Sequence, residues 1–86
     1  MKLFTLFVTT LLASSVFANS KIIDTSEATT EALVLFTKQS SSVAKFNGVK
    51  AWPVSGGVKV KIYVKGEDSV ELSCHRHSDN EPFECH

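Results

Sequence analysis

The chain has 86 residues, with nine lysines and arginines against nine aspartates and glutamates. A formal net charge of zero argues neither for nucleic acid nor for a strongly acidic partner. The length admits one small domain, and a domain of this size buries only about 60% of its unfolded surface, so it is marginal without a staple.

The first stretch, MKLFTLFVTTLLASSVFANS, carries one charge at Lys2 and then an apolar run from Leu3 to Leu12. That run is short of the roughly 20 apolar residues needed to span a bilayer. Small and polar residues follow, then Val16-Phe17-Ala18. This three-part pattern predicts a secretory signal peptide over 1–18, cleaved after Ala18, and a single domain over 19–86. Export leads to the periplasm or the exterior, where disulfides persist.

The segment DTSEATTEALVLFTKQ opens with Asp24, and Glu27 stands three residues later, an acid-initiated capping box. Ala28, Ala32, Leu35 and Phe36 recur at helical spacing and predict one apolar face on a helix over 25–39. Acids at its start and Lys38 near its end follow the order that the helix dipole favours. Three serines at 40–42 end it, and Asn47-Gly48 reads as a turn.

VKAWPV over 49–54 alternates imperfectly, and Pro53, with no amide hydrogen, favours an edge strand or a strand's end. SGG at 55–57 supplies hairpin residues. In VKVKIYVK, Val58, Val60, Ile62 and Val64 face one way while Lys59, Lys61, Tyr63 and Lys65 face the other. SVELSCHRH continues the pattern, with Val70, Leu72 and Cys74 inward and Glu71, Ser73, His75 and His77 outward. A three-residue turn at 66–68 would set Val60 opposite Cys74, Ile62 opposite Leu72, Val64 opposite Val70, Tyr63 against Glu71 and Lys59 against His75. The fold expected is α+β: one N-terminal amphipathic helix on a three- to four-stranded antiparallel sheet, stapled by one disulfide.

Charge is unevenly spread. From Lys38 to Lys65 there are six lysines and no acid, and from Gly66 to His86 six acids against Arg76 alone. Such halves can complement each other within one small fold.

The C-terminal CHRHSDNEPFECH gathers two cysteines and three histidines. Neighbouring strand residues point to opposite faces, so Cys74 and His75 cannot act together as nucleophile and base. The spacing also matches no usual zinc ribbon or finger. A Cys74–Cys85 disulfide is expected instead. It closes a turn-rich loop and contributes roughly 3 kcal/mol in the chain-entropy model. Phe83 would then turn inward or cover the bond.

His75 and His77 would share the wet face, with His86 returned beside them, a set suited to zinc or copper. Lys59, Lys61 and Tyr63 form a mixed basic and aromatic stripe, too few lysines to expect nucleic acid. Trp52 is either core or a contact anchor of the kind enriched at interfaces.

No Ser/His/Asp set, carboxylate pair or Gly-rich phosphate loop stands out. The expectation is therefore a non-catalytic exported module that binds a protein or an envelope component, inhibitor-like in character, with Trp52, Lys59, Lys61 and Tyr63 as contacts and no cofactor. A weak zinc or copper binder using His75, His77 and His86 is the alternative, and a small exported enzyme the third reading.

Overall fold

In the computed structural model the backbone is described for residues 16–86 and the side chains from residue 20 onward. Residues 1–15, which hold most of the expected export signal, lie outside the described residues. Helix α1 (Val16–Gln39) leads through a short 3₁₀ turn (Val43–Lys45) into β1 (Phe46–Val54), β2 (Gly57–Val64), β3 (Val70–His75) and β4 (Glu84–Cys85). The strands form one antiparallel sheet in the order β1-β2-β3-β4, with α1 packed across one face.

The helix begins well before position 25. Asp24 is therefore an interior residue rather than a cap, and its carboxylate accepts a hydrogen bond from Arg76 Nη2 at 2.8 Å. No glycine or proline interrupts 16–39, so nothing in the local chain stops the helix at the expected start. The threonines that would weaken it are satisfied internally: the hydroxyls of Thr25, Thr29, Thr30 and Thr37 each donate to the carbonyl four residues back. It ends where expected, at the serines, with the Ser40 amide bonded to the Phe36 carbonyl and Ser40 Oγ accepting from the Ser42 amide.

The core lies between the helix and the inner face of the sheet. Ala28, Ala32 and Phe36 of α1 meet Val58, Val60, Ile62 and Val64 of β2, with Cys74 and Phe83 completing the cluster. The strict alternation of β2 translates directly into burial: those four residues are at most 6% exposed, while their odd-numbered neighbours face away from the helix. Leu72 is half-buried against the cluster, and Val70 marks its margin.

Two local expectations are corrected. Asn47-Gly48 is not a turn; it lies inside β1, where the pairing register shifts between Phe46 and Val49 and Gly48 takes a φ of 123°. A bulge uses the same permissive residue that a turn would. The β2–β3 register is also displaced by two residues: Val58 faces Cys74, Val60 faces Leu72 and Ile62 faces Val70. A two-residue slip leaves every side chain on its expected face, so the hydrophobic pattern is blind to it.

The turn geometry decides the register. Glu67 is held against the segment that leads into β1, at this same end of the sheet, by Ser42 Oγ, 2.9 Å from both carboxylate oxygens, and by Lys45 Nζ at 3.1 Å. The Lys65 amide bonds to the Lys45 carbonyl. These contacts lengthen the connection and leave Val64 paired with Phe46 of β1 rather than with β3.

Elsewhere the chain turns as read. Val54 faces Gly57 across a two-residue turn in which Gly56 takes a φ of 84°, and Pro53 lies on an edge strand near its end. Gly57 has a second duty that the sequence conceals: a Cβ there would overlap the carbonyl oxygen of Cys74 on the neighbouring strand.

Candidate functional site: the outer sheet face

The helix covers one side of the sheet and leaves the other to solvent. Pairing partners share a face, so the register defines what the outer side displays. Trp52, Lys59 and Ser73 form one row across β1, β2 and β3, and Lys50, Lys61 and Glu71 form the next. Tyr63 follows along β2, 38% exposed. At the other end His75 faces Glu84, and His86 bonds through its backbone to Ser73 in both directions, at 2.9 and 3.0 Å.

All four residues singled out as contacts, Trp52, Lys59, Lys61 and Tyr63, therefore share this face. Trp52 is absent from the core cluster, because Ala51 takes the inward position on β1. Its indole lies beneath the Lys50 ammonium, 5.4 Å from the ring centroid, and Lys61 stands over Tyr63 at 5.5 Å. Lys59 faces Ser73 rather than His75, donates to Ser73 Oγ at 2.8 Å, and approaches Glu71 at 4.0 Å. Lys61, not Tyr63, stands opposite Glu71. Lys50 joins the group although the sequence did not single it out; its signal was its place two residues before Trp52, the strand interval that repeats a face.

The cysteines form the expected disulfide between β3 and β4, with Cα atoms 4.0 Å apart. Both sulfurs point inward, 3.8 and 3.7 Å from the Ala28 carbonyl oxygen, while His75 points to the outer side. Neither cysteine is a free thiol, which removes a cysteine nucleophile.

The returning tail brings the three histidines together. The His75 ring lies 5.7 Å from that of His77, edge-on, and 5.4 Å from that of His86, stacked at 29°. His86 Nε2 lies 3.9 Å from Glu84 Oε1. Among the described residues no three His, Cys, Asp or Glu side chains converge on a preformed metal position.

Arg76 is the residue whose importance the sequence understated. It bridges the tail to α1 through Asp24 and Glu27 at 2.8 and 3.3 Å, and its guanidinium lies 4.7 Å from the Phe83 ring centroid. Phe83 itself is buried, as expected of the residue beside the staple. The available signal was that Arg76 is the lone cation in an acidic tail.

No described helix is long and apolar enough to cross a membrane. Comparison of the chain with protein-family models, with curated proteins and with solved structures finds no match.

Proposed function

We propose that this is a small exported accessory module, stapled by its disulfide, which binds another protein or an envelope component through the outer face of its sheet and carries out no chemistry of its own. One observation carries the reading: Trp52 and Tyr63, each topped by a lysine, stand on either side of the Lys50–Lys61 row on a face that contributes nothing to the core. A rigid sheet presenting aromatic rings and cations is suited to recognition, since aromatic anchors supply contact area at low entropic cost. Lys50, Lys59 and Lys61 would favour a partner surface with carboxylates at its rim. Export accords with the disulfide, and inhibitor-like action is one form that such binding can take.

The test begins with recovery of the protein from its native envelope, where its N-terminus should read Asn-Ser-Lys. A photo-crosslinking residue at position 63 should then capture a partner that the same residue at Thr30, on the back of α1, does not. Trp52→Ala should weaken that complex by about 2 kcal/mol or more while costing far less folding stability than the roughly 3–5 kcal/mol of a core tryptophan. Equal capture from both faces, or a Trp52→Ala variant that unfolds as a core variant would, refutes the surface.

A further inference from the structure

The corner of the outer face where β3 and β4 meet carries side chains that the Trp52–Tyr63 patch does not use. His75 is central, with His77 and His86 on either side and Glu84 directly across the strand pair. We propose that this cluster binds one divalent late transition-metal ion, copper(II) ahead of zinc(II).

Imidazole nitrogens ligate such ions at about 2.0–2.1 Å, which puts the centroids of two ligating rings roughly 5 Å apart. The separations of 5.4 and 5.7 Å around His75 differ from that by little more than a side-chain rotation. His86 and Glu84 are free to make it, since their side chains are 68% and 58% exposed.

The backbone beneath them is fixed. The disulfide joins Cys74 to Cys85, and the paired amides of Ser73 and His86 hold the last residue against β3. Arg76 stands between His75 and His77 in sequence, yet its guanidinium is turned to the helix by Asp24 and Glu27, so it does not oppose a cation here. Imidazole and carboxylate together suit copper and zinc, and copper(II) is the stronger of the two at a given set of nitrogen donors. Because no three donors are already converged, the ion must order the side chains as it binds. A site of this kind binds more weakly than a preorganised one.

The oxidised protein, freed of metal, is titrated with copper(II) and with zinc(II) by calorimetry, and the copper form is read by electron paramagnetic resonance for nitrogen ligation. The expected result is one ion per chain, copper bound more tightly than zinc. The His75→Ala, His86→Ala double variant should bind at least about tenfold more weakly and lose its imidazole signature. His86 is exposed and His75 half-buried outside the core, and circular dichroism of the variant verifies its fold. A single His77→Ala variant should show a smaller loss of affinity. No saturable uptake by the parent overturns the site. So does equal affinity in the double variant, which would assign the ion to the chain's N-terminal amine or elsewhere.

Discussion

Glu67 shows how much one exposed carboxylate can determine. Its hydrogen bond from Lys45, and next that from Ser42, favour the charged form and hold its carboxyl pKa below the ordinary glutamate value. A folded-state pKa below the unfolded one means stabilisation that is present above the unfolded value and lost as pH falls through the folded one. Glu67→Gln should therefore lower the urea midpoint slightly at neutral pH, and the gap from the parent should close as acid protonates the carboxylate. Midpoints measured across a pH series check this, and the effect is small because the group is exposed. The same residue explains a limit of reading the chain: its partners Ser42 and Lys45 lie more than twenty positions away, so nothing local in Gly66-Glu67-Asp68 distinguishes a tight hairpin turn from the longer connection observed. Arg76 is a parallel case, since its value lies in Asp24 and Glu27, about fifty positions earlier.

At the scale of elements, α1 and β2 were legible because each obeys one period over many residues. Ala28, Ala32 and Phe36 face the core as their spacing requires, and so do Val58, Val60, Ile62 and Val64. What periodicity cannot supply is an end point or a register. The helix start was misplaced because Asp24 and Glu27 resemble a cap while serving as partners for Arg76. The register was misplaced by two, the slip that changes no face. The alanines also set a distance: the Ala28 carbonyl approaches both sulfurs of the disulfide because no larger side chain holds the helix off the sheet. Ala28→Leu should then overpack the interface and cost about 1–3 kcal/mol, whereas Thr30→Leu on the exposed side should cost little. Thermal denaturation of the two variants separates the cases.

For the whole molecule, the layered fold and the staple followed from the export pattern, the cysteine pair and the alternation, while the composition of the outer face needed the actual pairing. Lys50, Trp52, Lys59 and Ser73 come together only through the β1–β2–β3 register. The disulfide links the two levels. Replacing both cysteines by alanine should lower stability by roughly 3 kcal/mol, measured as the shift in denaturant midpoint. The loss should concentrate in residues 76–86, because β4 is two residues long and a strand so short holds poorly alone. It follows that one corner of the surface depends on its redox surroundings. In reducing surroundings His86 has no covalent tether to bring it beside His75, and only the His75–His77 pair, two residues apart, keeps its neighbour. Oxidation adds His86 to the pair, so any affinity that the three share is acquired only once the sulfurs have joined.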